Sequence, residues 1–328
     1  MAENTQLRAA EQRIVVEGYL KEMKLRDEND FIRGSVVITT GNQDEHTISV
    51  TESKYAKSDV NKEKPKAAYL RLQDFMSNAV SMGALMSQGM DAESAMQQAW
   101  KVSCRGYNAR LGRNEYYLPN GEFISREAIF GRGFNQVTSD RFSPRAEFNV
   151  ECFFDSIRPK LNRDGSTDES GAVVVKTYIP QWGGTVIPFT FVAYDEAGEH
   201  ILNNYSEKAT GRICGEIINT VREVEVAHKG FGTTYEPQAT YVHEFRINGG
   251  DPNVYLEGSP KSFPIELIRE AIATRENDYL PSLKAKAQER AKNGASTASG
   301  AARRSGFAAA ATVPVHGTNA EPTPKFTF

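Results

Sequence analysis

Arginines and aromatic residues interleave along one stretch of the sequence between residues 105 and 132. The members of this stretch are Arg105, Tyr107, Arg110, Arg113, Tyr116, Tyr117, Arg126 and Arg132. Guanidinium groups neutralise phosphates, and aromatic rings offer flat faces on which bases stack. Successive side chains of a strand point to opposite faces, so at least one ring of Tyr116 and Tyr117 is expected to face outward. The pattern indicates a surface for single-stranded nucleic acid, while core aromatics beside solvated arginines are the alternative interpretation.

A second candidate lies in the other half of the chain, where Lys176 and Trp182 flank the Gly183–Gly184 turn. A tryptophan on a turn is difficult to bury completely, so Trp182 is a candidate for base stacking. The alternative is that it covers the rim of a folded unit.

The net charge of −3 conceals an uneven distribution of charged residues. Residues 101–145 contain eight Lys/Arg and four Asp/Glu, a local charge of +4. Residues 146–280 contain twelve basic and twenty-one acidic residues, a local charge of −9. A basic band within an otherwise acidic protein can attract a polyanion to one face.

Residues that could support catalysis or metal binding are few and scattered. The five histidines lack any His-x-x-x-His spacing, the three cysteines lack a Cys-x-x-Cys pair, and neither a Walker loop nor a G-x-S-x-G motif is present. Cys104, Cys152 and Cys214 are expected to be reduced thiols packed in strands. The sequence predicts a protein that is not an enzyme, with no cofactor and no metal site.

The elements that would position these residues follow the same order in both halves. Residues 15–137 read β-β-β-α-β-β, with a helical face formed by Tyr69, Leu72, Phe75, Met76 and Ala79. Residues 146–248 repeat that order with a much shorter helix at 196–204. The Lys229–Gly232 segment matches only the start of an RNP1 motif, and we interpret it as a glycine-rich loop.

This order predicts a mainly β chain with helices, made of two OB-like five-stranded barrels in tandem, a C-terminal helix and a disordered tail. The expected segments are a flexible arm at 1–13, a first OB-like domain with a long helical insertion at 14–140, a second OB-like domain at 141–250, a C-terminal helix at 251–293 and a disordered tail at 294–328. Ile265, Ile268 and Ile272 share one side of that helix, and the tail is rich in Ala, Gly, Ser, Thr and Pro.

Several of these segments together resemble the bacterial single-stranded-DNA-binding proteins and their phage-encoded relatives. In the second half, Thr185–Ala193, Ala197–Tyr205 and Lys208–Ile217 resemble the third strand, short helix and fourth strand of that family. In the first half, Arg105–Arg110 and Asn114–Phe123 resemble the hairpin of strands four and five. The chain differs from the family in its longer first helical region and in a C-terminus without an acidic run.

The resemblance implies sequence-independent binding and protection of single-stranded DNA in phage or mobile-element replication and recombination. Its expected partners are single-stranded DNA, with RNA as an alternative ligand, and self-association or replication proteins as further candidates. No apolar run is long enough to span a bilayer, so a cytoplasmic location in a bacterial host cell and no membrane partner are expected. The alternative function is a structural or assembly protein, a virion part or host-protein inhibitor, that uses such barrels for protein contacts.

Overall fold

The computed structural model describes residues 6–41, 44–56, 58–59, 61–118, 120–138, 142–162, 164–230 and 232–296, with the backbone alone at 222–239 and 292–296. Among the described residues no helix is long and apolar enough to cross a membrane. Within the same part of the chain, no group of three or more His, Cys, Asp or Glu side chains could hold a metal ion.

The first unit begins with a three-stranded antiparallel meander, followed by helices and a second hairpin. Its elements are β1 (Gln12–Glu28), β2 (Phe31–Gly41), β3 (Asp44–Ser53), α1 (Ala67–Asn78), α2 (Met82–Ser87), α3 (Ala92–Gln98), β4 (Lys101–Arg105), β5 (Ala109–Tyr117), β6 (Phe123–Gly131) and β7 (Asn135–Gln136). β3 pairs in parallel with β6, and β6 pairs with β5. Tyr69, Leu72 and Phe75 of α1 are buried, which confirms the predicted helical face.

The fourth strand of this unit is divided in two. β4 pairs with β1, whereas β5 pairs with β6, and a 3₁₀ turn at Gly106–Asn108 lies between them. Gly106 has a φ of +60°, a conformation that glycine adopts without strain. The backbone N–H of Arg132 donates to the Asn108 carbonyl oxygen at 3.0 Å, which ties the turn to the end of β6.

The second unit is a closed five-stranded barrel. Its elements are β8 (Arg145–Pro159), β9 (Val173–Pro180), β10 (Val186–Ala193), α4 (Asp195–Asn204), β11 (Thr210–Gly230) and β12 (Gly232–Gly250). The pairing runs β8-β9-β10-β12-β11 and returns to β8, with β10 and β12 parallel and the other pairs antiparallel. Phe148, Phe189, Phe191 and Phe245 pack against one another within this barrel in tilted and edge-to-face arrangements.

β11 and β12 continue well past the barrel as a two-stranded ribbon. Their register runs without interruption from Val221 opposite Tyr241 to Gly230 opposite Gly232. At about 3.3 Å per residue, the ribbon projects about 30 Å. The segment that we interpreted as a glycine-rich loop is therefore at the tip of a hairpin, and its Phe231 lies outside the described residues.

The two units share one continuous sheet, because Gln12–Glu17 of β1 pair with residues 145–150 of β8. Residues just before β1 also pack on the second unit. Leu7 is buried, and the Ala10 N–H donates to the Pro180 carbonyl oxygen at 2.9 Å. The part of the expected arm that the structure describes is thus held against the barrel, and residues 1–5 lie outside the description.

Helices at the C-terminal end cover part of the second barrel. They comprise α5 (Ile265–Thr274), a π-helical segment (Arg275–Tyr279) and α6 (Leu280–Ser296). Ile268 and Ala271 of α5 pack with Phe153 and Val186, which point outward from β8 and β10. These helices confirm a C-terminal helix, which begins at Ile265 rather than at residue 251. Residues 297–328 of the predicted tail lie outside the described part of the chain.

The structure confirms a mainly β chain with helices and a closed five-stranded barrel. Cys104 and Cys152 are buried in β4 and β8, as expected for packed thiols, and burial raises the pKa of Cys104 to about 12. A thiol with so high a pKa is almost entirely protonated near neutral pH, and therefore a poor nucleophile.

Candidate nucleic-acid interface

The outer face of the first unit is defined by the side-chain alternation of β2 and β3. Ile32, Val36 and Ile38 of β2, with Ile48 and Val50 of β3, point into the core. The intervening side chains therefore point to the opposite face. This outer face carries Phe31, Arg33, Ser35, Thr47, Ser49 and Thr51.

A row of polar and cationic residues crosses this face perpendicular to the strands. Arg26 of β1 lies opposite Arg33 of β2, which lies opposite Thr51 of β3. The Arg33 guanidinium lies over the ring of Phe31, with its Cζ 4.5 Å from the ring centroid. Because adjacent strands are about 4.8 Å apart, the row places two arginines and a threonine at regular steps across the sheet.

The row ends at a hollow of about 460 Å³ beside the break in the fourth strand. Its lining consists of Thr51, Glu52, Tyr107, Asn108, Ala109, Arg110, Phe130, Gly131 and Arg132. Tyr107 is 94 % exposed although it lies in an ordered turn. The Arg132 Nε donates to the Tyr107 carbonyl oxygen at 2.9 Å, so the turn and the guanidinium are held together.

The Arg110 guanidinium lies over an aromatic ring. Its Cζ lies 5.5 Å from the centroid of Phe130, the cross-strand neighbour on β6. The Phe130 ring lies so close to Gly112 that a Cβ there would come within 2.6 Å of ring atoms. Desolvation by neighbouring groups, and then the nearby charge of Arg132, lower the pKa of Arg110. The two guanidinium groups are therefore close enough to repel each other.

Cations without a carboxylate partner collect on and beside this face. Within the described residues, none of Arg26, Arg33, Arg105, Arg110, Arg126 and Arg132 forms an ion pair. All six are exposed. Uncompensated positive charge at one surface is an electrostatic feature expected of a site for a polyanion.

The outward face also holds part of the β5–β6 hairpin. Tyr116 is 48 % exposed and lies opposite Ile124, and Arg126 lies opposite Asn114. Asn114 donates from Nδ2 to Ser49 Oγ at 3.3 Å, which connects the hairpin to β3. Tyr116 and Arg126 therefore share the face of Arg110, but farther along the strands.

Arg113 and Tyr117, predicted together with these residues, lie on the opposite side of the hairpin. The Arg113 side chain is only 13 % exposed, and its Nη1 lies 2.6 Å from Glu127 Oε1 and 3.1 Å from the Pro188 carbonyl oxygen. Tyr117 packs on Phe123 with ring centroids 5.0 Å apart. Arg113 thus connects the two units, and its guanidinium already has partners.

Glu115 completes this buried junction with Arg113. Its side chain is 2 % exposed and forms ion pairs with Arg113 and with Arg275 of the π-helical segment. Ser125 Oγ donates to the same carboxylate at 2.7 Å. The hairpin, β10 and the C-terminal helices therefore meet around one carboxylate.

The two candidates of the second unit are exposed but separate from that face. Lys176 is on β9, and Trp182 is 93 % exposed in the β9–β10 turn. Between them on the outer side of the barrel, Tyr178 and Val186 pack in the apolar cluster beneath α5. The part of this outer face nearest the turn is thus covered by the chain itself.

Residues of the outer face that the sequence patterns did not single out include Arg26, Phe31, Arg33, Thr51 and Asn108. Arg33 and Thr51 become neighbours only through the register of β2 and β3. The alternation of polar and β-branched residues in 31–53 could have indicated which of them face outward.

The chain belongs to the YorF family, whose model matches residues 11–286. Two solved structures of a single-stranded DNA binding protein from Thermus aquaticus are similar to it. A deletion mutant has a TM-score of 0.43 and 9 % identity, covering 77 % of this chain and 98 % of the other. The wild-type protein has a TM-score of 0.43 and 8 % identity, covering 77 % and 96 %. No match was found among curated proteins.

Proposed function

We propose that this protein binds single-stranded DNA without catalysis and with little sequence preference, and that the outer face of the first unit is the binding surface. In this proposal both units are OB-like barrels, the first spanning 14–140 and the second 141–250. The role that fits is the protection of single strands during phage or mobile-element replication or recombination.

The observation that carries the proposal is a set of arginines that have no carboxylate partner among the described residues and that share a face with an exposed tyrosine. Single strands are held by a cationic groove that follows the backbone and by aromatic side chains that stack on bases. Arg26, Arg33, Arg110 and Arg132 supply the first requirement, and Tyr107 supplies the second. In an OB fold the face of strands two and three is also the face that accepts oligonucleotides.

Strand order supports the same interpretation of the first unit. Its pairing runs β1-β2-β3-β6-β5, with β3 and β6 parallel, and β4 returns to β1. The second unit has the same order in its closed barrel. The split of strand four places the 3₁₀ turn, and with it Tyr107, at the edge of the face.

The test is a salt titration of the full chain with a labelled oligothymidylate. The logarithm of the binding constant should fall linearly with the logarithm of salt concentration, with a slope of about −0.7 per phosphate contacted. Duplex DNA of equal length should bind more weakly, because its bases cannot stack on Tyr107. Binding that is insensitive to salt, or equal for duplex and single strand, would contradict the proposal.

A matched pair of substitutions locates the surface. Arg33→Ala should reduce the magnitude of the salt slope by about 0.7, because one phosphate contact is lost. Arg158→Ala removes an exposed arginine from β8 of the second unit and should leave the slope unchanged. An RNA oligonucleotide in the same assay decides whether the ligand is DNA or RNA.

The alternative function is a structural or assembly role through protein contacts, and the projecting β11–β12 ribbon is the observation that favours it. Because that role requires no phosphate contact, it predicts no oligonucleotide binding at any salt concentration.

A further inference from the structure

Three groups that could contact a base line the hollow beside the fourth-strand break. They are the Tyr107 ring, the Asn108 amide and the Thr51 hydroxyl. Within the described residues, none of these side chains has a hydrogen-bond partner. We propose that this hollow is a single-nucleotide site in which Tyr107 stacks on one base and Asn108 reads its edge. This inference rests on the proposed function and adds base selectivity to it.

The charges of the hollow fit the phosphate of such a nucleotide. Arg110 and Arg132 both line it, and neither has an ion-pair partner among the described residues. Glu52 is the carboxylate in the lining, and it is buried and paired with Lys66. Two like charges in one cavity repel each other, so a bound phosphate between them would relieve an unfavourable interaction.

The amide of Asn108 lies against the backbone of Gly133. Gly133 lies so close that a Cβ at its position would come 2.9 Å from Asn108 Oδ1. The main chain of Asn108 is fixed as well, because its carbonyl oxygen accepts from the Arg132 N–H and from the Cys104 thiol. A main chain that is fixed before binding lowers the entropy cost of presenting the side chain to a base.

The chemistry of an amide favours one base in particular. An asparagine side chain offers one donor and one acceptor in a plane, which match N7 and N6 of adenine. Stacking on the tyrosine ring is tolerant of sequence, since every base has an aromatic face. The stack should therefore supply affinity for any base, whereas Asn108 should supply the difference between bases.

The experiment compares oligonucleotides of about 12 thymidines, within the ~4–16 nucleotide site size of an OB fold. One central thymidine is replaced in turn by adenosine, guanosine or cytidine, and binding to the full chain is measured by fluorescence anisotropy. The adenosine oligonucleotide should bind about fivefold more tightly than oligothymidylate, near the lower end of the range for one amide–adenine pair.

Two asparagine-to-alanine variants distinguish this single-nucleotide site from the rest of the outer face. Asn108→Ala should still bind oligothymidylate and should lose the preference for adenosine. Asn114→Ala removes an exposed amide outside the hollow and should keep the preference.

Two results would overturn the single-nucleotide site while leaving the proposed function intact: equal affinity of the unaltered protein for all four oligonucleotides, or a preference that survives Asn108→Ala. Failure to bind any of the oligonucleotides would instead overturn the proposed function, and the site with it.

Discussion

The outer face of β2 and β3 in the first unit is open to solvent, whereas α5 packs against part of the corresponding face of the second unit. In the first unit this face carries Arg33 and leads to the exposed Tyr107. In the second, Phe153 and Val186 point outward from the barrel and are buried beneath Ile268 of α5. The same order of strands thus supports a free surface in one unit and an internal interface in the other.

The local net charge also distinguishes the two units, since the unit with the open face has the basic stretch. The 101–145 stretch carries +4, whereas 146–280 carries −9. Several arginines of the second unit are already paired, among them Arg212 with Glu11 and Arg246 with Glu244. Strand order alone therefore does not determine which unit has an open cationic surface. Whether a helix packs on the face, and whether its arginines already have carboxylate partners, determine it.

The buried junction between the units should give the largest effect. Glu115→Ala leaves Arg275 without its carboxylate partner, whereas Arg113 keeps Glu127, and breaking a buried ion pair costs about 3–5 kcal/mol of folding free energy. Urea denaturation measures the loss. Glu266→Ala breaks an exposed ion pair on α5 and should cost below about 1 kcal/mol. Similar costs for both variants would show that the junction does not hold the units together.

A second contact between the units should make stability depend on pH. His46 of β3 is fully buried, and its Nδ1 lies 3.0 Å from Nδ2 of Asn219 on β11. Burial lowers the pKa of His46 from 6.5 to about 4; Asp44 opposes this shift and His243 adds to it. Between these values the unfolded chain binds the proton more readily, so stability should fall by up to about 3 kcal/mol as pH drops from 6.5 to 4.

The variant His46→Gln removes the titrating group and should flatten this part of the stability curve. His243 retains a contribution of the same sign, since burial lowers its pKa as well. Thermal unfolding at several pH values measures both curves. Parallel curves for the two proteins would exclude His46 as the cause.

The arginines of the hollow come next in expected effect. Arg110→Ala with Arg132→Ala should weaken binding of oligothymidylate by roughly 3 kcal/mol, since each hydrogen bond to a charged group contributes ~1.5–3 kcal/mol. The salt slope should become shallower by about 1.4, corresponding to two phosphates. Arg158→Ala with Lys176→Ala is the matched pair on the second unit. Equal losses of affinity in the two double variants would contradict a binding surface on the first unit alone.

Much of this comparison could be predicted from the sequence, because strand alternation and turn residues are local signals. Tyr107, Arg110 and Arg132 were predicted together and lie on one hollow. Arg113 follows Arg110 by three positions, and an odd spacing places two strand residues on opposite faces. The odd spacing of Arg110 and Arg113 can be read from the sequence. It shows that they lie on opposite faces only once it is known that one strand contains both residues.

Long-range packing explains what the sequence could not indicate. Nothing in the local pattern of 265–274 shows that α5 packs against β8 and β10. Likewise, the chain does not continue as one helix beyond α1, because Ser81 caps α2 by accepting from the Ala84 N–H at 3.2 Å. The register that brings Arg33 beside Thr51 is also a tertiary property.

The smallest expected effect concerns the two most exposed aromatic residues, Tyr107 and Trp182. Both are more than nine-tenths exposed, so exposure alone predicts equal roles in stacking. Tyr107, however, lies beside Arg110 and Arg132, whereas Trp182 is on a turn at the end of an acidic unit. A base must be held near a ring by its phosphates before stacking can contribute.

We therefore expect Tyr107→Ala to weaken binding of oligothymidylate by ~1–3 kcal/mol with an unchanged salt slope. Trp182→Ala should change it by less than ~0.5 kcal/mol, as most surface substitutions do. Quenching of tryptophan fluorescence by the oligonucleotide gives a second readout, with Trp100→Phe leaving Trp182 as the sole reporter. Strong quenching together with a loss of affinity in Trp182→Ala would place the strand on the second unit, because an aromatic ring that stacks on a base must both lose emission and contribute to binding.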